Sequence, residues 1–312
     1  MKQRVLVAGG TGFVGSHVVA RLAAAGHDVV VPTRNRQRVR HLLPLPTVQV
    51  IEIDPYDAQA LARLARDATV AINLVGILHE HRRASFERVH VEFPRMLVGV
   101  CRQAGITRIL HMSAQGASAD APSRYLRSKA QGEAVVADSG LAFTIFRPSV
   151  IFGRQDTFLN LFARLARFFP VLPLAAAQAR FQPVFVGDVA ACFAQACVDD
   201  AMIGKRYALC GPKVYTLEDL VRYVAQTTGH PRPVVALPPA LARLQARVME
   251  WLPKPLITRD NLASMERDNV CDGPFPVEFG IVPAALEAIA PDYLAPLARH
   301  SRFDLFRVRS GR

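Results

Sequence analysis

Residues 5–15 read VLVAGGTGFVG, an apolar run that leads directly into a glycine-rich loop. A helical pattern of apolar residues follows over 17–25. Because Gly9, Gly12 and Gly15 carry no side chain, the loop can turn tightly and approach a pyrophosphate, which binds the unpaired amides at the helix N-terminus. The order of strand, glycine loop and helix therefore predicts a dinucleotide-binding site at the start of the chain.

Strand and helix patterns alternate through the first half of the chain. Further apolar, strand-like runs lie at 28–33, 48–53, 70–75, 108–112, 141–147 and 206–209. This alternation predicts an α/β fold with a Rossmann-like, doubly wound parallel sheet covered on both faces. Proline-interrupted helical segments predominate beyond Ile151. We therefore expect residues 1–150 to form the nucleotide-binding domain, with a return of the chain to it at about 183–211, and residues 151–182 and 212–312 to form a smaller, mainly helical lobe.

The charge balance indicates an anionic partner. The net charge is +12 and the pI is near 10.1, which fits a phosphorylated cofactor, an acidic lipid or nucleic acid. Lysine occurs only at positions 2, 129, 205, 213 and 254, so the excess of arginine can equally reflect codon composition. A lysine in such a chain can be retained for chemistry that arginine does not supply, and Lys129 is the candidate.

No segment predicts secretion or a membrane span. The apolar start belongs to the first strand, and the apolar run 68–78 is too short to cross a bilayer. We therefore expect a cytoplasmic protein, or one that is peripheral to the inner membrane. The five cysteines form no C-x-x-C pair and are expected to be reduced, structural thiols. Because no cysteines converge on His79, His81 and His90, no metal site is expected.

Arg34 follows the second predicted strand, within the sequence PTRNR at 32–36. An NAD-specific site normally places an acidic residue here for the adenosine ribose hydroxyls. A guanidinium can hold a 2′-phosphate bidentately, whereas a carboxylate would repel it, so the sequence predicts NADP(H) in preference to NAD(H). The alternative is that Arg34 is an exposed loop charge of little energetic weight.

Tyr125 and Lys129 are four residues apart in a helical pattern that starts near Ser123. On a helix this spacing places both side chains on one face, where an ammonium can lie near a phenol and near a nicotinamide ribose. A nearby positive charge favours the phenolate, so we expect the pKa of Tyr125 to lie below its ordinary value of about 10. The alternative is a surface pair, since this spacing also occurs by chance.

Several motifs together resemble the atypical branch of the short-chain dehydrogenase/reductase superfamily. They are the glycine loop at 9–15, NLVG at 73–76, the Tyr125 and Lys129 pair, and RPSVIFG at 147–153. More narrowly, the chain resembles the accessory NADPH-binding subunits of respiratory complex I and their bacterial relatives. That resemblance rests on SRYLRSKA at 123–130, GRQDTFLN at 153–160, QPVFVGDV at 182–189 and ITRD at 257–260.

The resemblance implies which residues bind the cofactor. They are Gly9, Thr11, Gly12, Phe13, Val14, Gly15, Arg34, Val75, Gly76, Lys129, Pro148, Val150 and Ile151. The glycines would bind the pyrophosphate, Lys129 the nicotinamide ribose, and the run from Pro148 to Ile151 would line the nicotinamide. The resemblance also implies Tyr125, Lys129 and Ser113 as catalytic residues. The stretch from Ser113 to Tyr125 is shorter than in typical reductases, a departure that concerns catalysis more than cofactor binding.

Two functional hypotheses follow. One is an NADPH-dependent oxidoreductase in which Tyr125 donates a proton to a carbonyl or quinone oxygen. The other is a non-catalytic NADPH-binding accessory or assembly protein of a respiratory membrane complex. A nucleotide-sensing or nucleic-acid-binding regulator would explain the charge but no motif, so nucleic acid is not expected as a partner.

Two apolar regions near the C-terminus can serve either packing or docking. Leu241, Leu244, Val248 and Leu252 share one face of a predicted helix, which a membrane or a partner could cover. We expect this face to pack against its own lobe. The tail from Arg299 to Arg312 mixes arginines with aromatic residues, which fits an acidic surface or a disordered end.

Overall fold

The structure is a computed structural model that describes residues 2–81, 84–252 and 255–295, without the side chain of Arg38. Seven parallel strands form its main sheet. They are β1 (Arg4–Ala8), β2 (Asp28–Thr33), β3 (Val48–Glu52), β4 (Val70–Asn73), β5 (Arg108–Met112), β6 (Ala142–Pro148) and β11 (Lys205–Leu209). Their spatial order is β3-β2-β1-β4-β5-β6-β11, which confirms the predicted Rossmann-like sheet. Because the order reverses between β1 and β4, a crevice opens at the carboxyl ends of these two strands.

Helices cover both faces of this sheet. They are α1 (Phe13–Ala24), α2 (Ala58–Leu64), α3 (Phe93–Ala104), α4 (Arg124–Ala137) and α6 (Val186–Ala196). Val5 and Val7 of β1 point to the face that α1 and α6 cover, where they join one apolar core. Leu6 points to the opposite face and joins a second core with residues of α2, α3 and α4. The central strands β1, β2 and β4 are buried on both faces, which explains why their sequences are mostly apolar.

The predicted smaller, mainly helical lobe surrounds a third apolar core. Its helices are α5 (Phe158–Phe168), α7 (Leu217–Thr227), α8 (Pro239–Met249), α9 (Arg259–Ser264), α10 (Leu286–Ile289) and α11 (Pro291–Leu294). Short strands pair around them: β7 (Ile151–Phe152) with β10 (Val184–Phe185), β8 (Leu172–Leu174) with β13 (Val234–Ala236), and β9 (Arg180–Phe181) with β12 (Tyr215–Thr216). Within the described ranges, no helix has the length and apolar character that a bilayer span requires. The predicted basic tail lies outside the described residues.

The expectation that all cysteines are reduced is wrong for two of them. Cys210 and Cys271 form a disulfide with their Cα atoms 6.0 Å apart, whereas Cys101, Cys192 and Cys197 are free and buried. The pairing arises because a segment that follows α9 returns to the end of β11. There the Cys271 amide donates to the side chain of Gln182, which in turn donates to the Gly211 carbonyl. Sequence spacing alone gives no indication of this approach.

Candidate cofactor site

The glycine loop joins β1 to α1 at the crevice. Gly9 has a positive φ of 81°, and a Cβ on Gly15 would lie 2.1 Å from the Gly9 carbonyl oxygen, so neither position accepts a side chain without rearrangement. Gly12 is the N-cap of α1 and provides no side-chain acceptor for the first-turn amides. Thr11, Phe13 and Val14 complete this turn. The loop is therefore a cradle of backbone donors that fits a pyrophosphate.

The end of β4 lies directly against this loop. A Cβ on Gly9 would lie 2.8 Å from the carbonyl carbon of Leu74, so the two backbones are in close contact. The buried Asn73 side chain holds the next turn, since its Oδ1 accepts the Val75 amide at 3.1 Å and its Nδ2 lies 3.1 Å from Nδ1 of His111. The chain thus leads from the glycine loop to the predicted residues Val75 and Gly76.

Lys129 of α4 lies beside this turn. A Cβ on Gly76 would be 3.9 Å from its Nζ, and the ammonium donates to the Met112 carbonyl at 2.7 Å. Burial lowers the pKa of Lys129 to about 8, while the carboxylate of Glu133 acts in the opposite direction. Lys129 therefore connects the end of β4 to the end of β5.

Ser113 follows Met112 and is 3% exposed. Its amide donates to the Phe146 carbonyl at 2.7 Å, which aligns it with the end of β6. Its Oγ is buried and has no hydrogen-bond partner among the described residues. A buried hydroxyl without a partner is costly, so this atom fits a site where a bound ligand completes the hydrogen bonding.

Tyr125 forms an aromatic wall with the rings of Phe86 and His90, at centroid distances of 5.8 and 5.6 Å. The expected lowering of its pKa is wrong, since burial raises the pKa of Tyr125 to about 12. Two physical reasons account for this: burial disfavours the phenolate, and the Lys129 ammonium is directed to the Met112 carbonyl. The phenol therefore stays protonated near neutral pH.

A chain of hydrogen bonds through His90 and Ser128 holds the backbone of Tyr125. The Ile77 amide donates to His90 Nε2 at 3.1 Å, and His90 Nδ1 lies 2.8 Å from Ser128 Oγ, which donates to the Tyr125 carbonyl at 2.7 Å. These partners assign the ring proton to Nδ1. Burial, and then the charge of Lys129, lower the pKa of His90 to about 3, so the ring stays neutral. The sequence suggests no role for His90 except that of a possible metal ligand, so this structural role could not be predicted from it.

His90 lies on a π-helical turn, Arg88–Glu92, that packs closely on α4. A Cβ on Gly132 would lie 2.1 Å from the His90 carbonyl oxygen, so a glycine is needed at this crossing. π-Helical turns often mark functional sites. No pattern in the sequence indicates this turn, whereas Gly132 is a signal that could have suggested a close contact of α4.

The run from Arg147 to Gly153 closes the other side of the crevice. The Gln115 amide donates to the Pro148 carbonyl at 2.9 Å, and Asn269 of the second lobe accepts the Val150 amide at 2.9 Å. Ile151 continues this segment into β7. A Cβ on Gly153 would be 3.3 Å from the Phe13 ring, so the run ends against the glycine loop. Asn269 is a further contributor that sequence analysis did not identify.

Arg34 lies apart from this cluster, exposed at the end of β2. Its charge acts on Tyr56, where it opposes the burial that raises the pKa of that phenol. The neighbouring Arg36 amide donates to the Glu52 carboxylate at 3.0 Å. Arg34 forms no ion pair in the part of the chain that the structure describes, so its guanidinium is available to an anion.

The fold and this site together define the class of the protein. Residues 9–160 match a family described as NAD(P)H-binding. The crevice, the glycine cradle and the Tyr125 and Lys129 pair on α4 place the chain among the NAD(P)-binding proteins of the atypical short-chain dehydrogenase/reductase superfamily.

Three known proteins are similar to this chain in sequence or in fold. The chain is 33% identical over 297 residues to the Mus musculus protein named NADH dehydrogenase (ubiquinone) 1 alpha subcomplex subunit 9, mitochondrial, covering 90% of this chain and 77% of that protein. It is 31% identical to a Caulobacter vibrioides protein named ceramide reductase, covering 79% and 78%. The fold matches an Escherichia coli NADPH-dependent quinone oxidoreductase complexed with NADPH, at a TM-score of 0.72, with 19% identity and coverage of 93% and 99%. The chain belongs to the family of the alpha subcomplex subunit 9.

Proposed function

We propose that the protein is an NADPH-dependent reductase that acts on an apolar carbonyl or quinone-type substrate. The observation that carries this proposal is the position of the partly buried Tyr125 phenol, which lies beside His90 on the helix that also carries the buried Lys129. The unpartnered Ser113 hydroxyl, next to the carbonyl that binds Lys129, supports it. These groups match the acid, the orienting hydroxyl and the cation that carbonyl reduction needs.

Each side chain has a distinct role in this proposal. Bound NADPH supplies the hydride. Tyr125 donates its phenolic proton to the substrate oxygen, and the Ser113 hydroxyl orients that oxygen. Lys129 holds the ribose, and solvent returns a proton to Tyr125 after turnover. His90 stays neutral and keeps the tyrosine backbone in place through Ser128.

Arg34 supports NADP(H) in preference to NAD(H). Its guanidinium is exposed beyond β2, where the adenosine ribose lies in Rossmann proteins. A 2′-phosphate would give it a charge-assisted partner. The Glu52 carboxylate accepts a hydrogen bond from the Arg36 amide. Among the described residues it forms no ion pair with the Arg34 guanidinium.

The names of two similar proteins support an apolar substrate. One is a reductase named for ceramide, a lipid, and the other is an oxidoreductase named for quinone. The relative named as a subunit of NADH dehydrogenase favours a second candidate, a non-catalytic NADPH-binding accessory protein peripheral to a respiratory membrane complex. In that case bound NADPH stabilises the fold, by about 2.7 kcal/mol when its concentration is about a hundred times its dissociation constant.

One experiment separates the two candidates. The protein is loaded with NADPH, and nicotinamide fluorescence is followed while short-chain quinones and simple carbonyls are added to wild type, Tyr125→Phe and the matched control Tyr223→Phe, which lies in α7. We expect wild type and the control to lose the signal, and Tyr125→Phe to react at least about 100-fold more slowly with unchanged NADPH affinity. A stable signal in all three proteins would overturn the reductase and support the accessory role.

A further inference from the structure

Helix α8 exposes its most apolar face to solvent. Leu241 is 51% exposed, Leu244 56% and Trp251, two residues beyond the helix, 83%. The expectation that this face packs against its own lobe is therefore wrong. The buried residues of α8 are instead the small Ala242 and Ala246. We call Leu241, Leu244, Val248, Trp251 and Leu252 the apolar stripe.

The surroundings of the apolar stripe are basic. Arg243 and Arg247 are exposed on the same helix. The acid that is nearest in sequence, Glu250, is bonded to Arg259, since its carboxylate accepts the Arg259 amide at 2.8 Å and the Arg259 Nε at 2.9 Å. The segments 157–187 and 220–249, which build α5, β8, β13, α8 and most of α7, contain arginines but no aspartate or glutamate.

Further apolar side chains are exposed in the same two segments. Phe168 is 74% exposed, Phe169 53% and Val235 48%. The two phenylalanines lie four and three residues before β8, which pairs with the strand β13 that contains Val235. Helix α8 begins three residues after β13. Exposed aromatic and aliphatic side chains on segments that contain arginines but no aspartate or glutamate match the composition of an interfacial membrane helix.

We propose that the apolar stripe of α8 docks on the surface of an anionic lipid bilayer. Its apolar side chains enter the headgroup boundary, while Arg243 and Arg247 bind lipid phosphates. With 11 residues the helix is about 16 Å long, which suits a position in the plane of the interface. A helix with an exposed apolar face, followed two residues later by an exposed tryptophan, fits a bilayer better than a protein groove, because tryptophan favours the membrane interface.

This docking would bring the candidate catalytic helix close to the membrane. Glu250 at the end of α8 binds Arg259, and the adjacent Asp260 accepts the amides of Arg124 and Tyr125 at the start of α4. Delivery of a membrane-dissolved substrate to Tyr125 rests on the proposed function. The docking itself does not, since it depends only on the apolar stripe and its arginines.

Trp251 is the single tryptophan of the chain, so its fluorescence reports directly on the proposed surface. The full chain is mixed with vesicles of phosphatidylcholine alone or with phosphatidylglycerol added. We expect the anionic vesicles to shift Trp251 emission to the blue and to protect it from iodide quenching. Leu244→Glu combined with Val248→Glu should abolish vesicle flotation, and Arg243→Glu combined with Arg247→Glu should weaken it at least about tenfold.

The matched control is Val282→Glu, at a valine that is 91% exposed but lies outside α8, and it should bind like wild type. Failure of wild type to float with anionic vesicles would overturn the proposal. Flotation with unchanged Trp251 quenching would do the same, because another surface would then bind. If wild type does not bind vesicles but self-associates, and the variant with Leu244→Glu and Val248→Glu does not self-associate, the apolar stripe binds a second copy of the chain instead. NADPH affinity, measured on the same samples, reports on the proposed function separately.

Discussion

The carboxylate of Asp260 accepts the backbone N–H of Tyr125 at 3.1 Å, although 135 residues separate the two in the chain. The same carboxylate accepts the Arg124 amide at 2.7 Å. Ser123 satisfies a third amide of this turn, that of Leu126. The helix that carries the candidate catalytic tyrosine is therefore capped jointly by its own sequence and by the second lobe.

Removal of the Asp260 carboxylate should destabilise the protein. Asp260→Ala leaves two first-turn amides of α4 without their acceptor, and we expect the free energy of unfolding to fall by about 1–2 kcal/mol. Asp260→Asn keeps an acceptor but loses the charge, so it should lose less. Urea denaturation of the three proteins measures this order. An Asp260→Ala variant as stable as wild type would show that the cap is not needed.

A methyl group at Gly132 should be costly. In Gly132→Ala the new Cβ meets the His90 carbonyl at a distance that no packing allows, so we expect a loss of about 1–3 kcal/mol in the free energy of unfolding. Gly99→Ala is the matched control, because Gly99 is a helical glycine of α3 with no atom within 4 Å of its added Cβ. It should be neutral or gain up to about 1 kcal/mol. Equal melting temperatures for the two variants would contradict the close crossing of α4 and the π-helical turn.

Cofactor preference should depend on Arg34. Arg34→Asp replaces an available guanidinium with a carboxylate, so we expect NADPH affinity to fall at least about tenfold while NADH affinity changes little. Arg40→Asp is the control, since Arg40 is exposed but bonded to Gln37. Fluorescence titration with both nucleotides measures the ratio of affinities. An unchanged ratio in Arg34→Asp would remove the basis for NADP(H) preference.

The burial of Lys129 should make stability depend on pH. Its pKa falls from 10.5 to about 8 in the folded protein. Between these two values the unfolded chain binds more protons than the folded one, so the free energy of unfolding contributed by Lys129 rises as the pH increases through this window. We therefore expect the free energy of unfolding of nucleotide-free wild type, relative to that of Lys129→Met, to increase from about pH 8 to pH 10.5. Urea denaturation at several pH values measures this difference. Lys213→Met, which changes an exposed lysine, is the control and should show the same pH dependence of the free energy of unfolding as wild type. The same pH dependence in Lys129→Met would contradict the burial of Lys129.

The fold could be predicted because its signals are local. Residues 5–15 combine an apolar strand with glycines that a tight loop requires, and largely apolar strands recur between helices. The structure confirms the seven parallel strands and the smaller helical lobe. The exposure of the apolar stripe on α8 could not be predicted, since an amphipathic pattern does not reveal whether a neighbour covers it.

The spacing of Tyr125 and Lys129 correctly predicted a shared helix, but not its electrostatics. A pKa depends on burial and on the hydrogen-bond partners that the fold supplies. Here burial raises the pKa of Tyr125, whereas the Lys129 ammonium donates its hydrogen bond to the Met112 carbonyl. His90 and Asn269 lie far from the motifs in sequence and reach the site only through the π-helical turn and the second lobe. Their contribution has no local signal.

The sequence by itself therefore determined the doubly wound sheet, the glycine cradle and the pairing of Tyr125 with Lys129 on one helix, because each depends on residues close together in the chain. Only the tertiary structure decided the protonation of Tyr125, the Cys210 to Cys271 disulfide, the cap from Asp260 and the exposure of α8. These depend on distances between residues remote in sequence and on the exclusion of water, and both are set only when the two lobes pack.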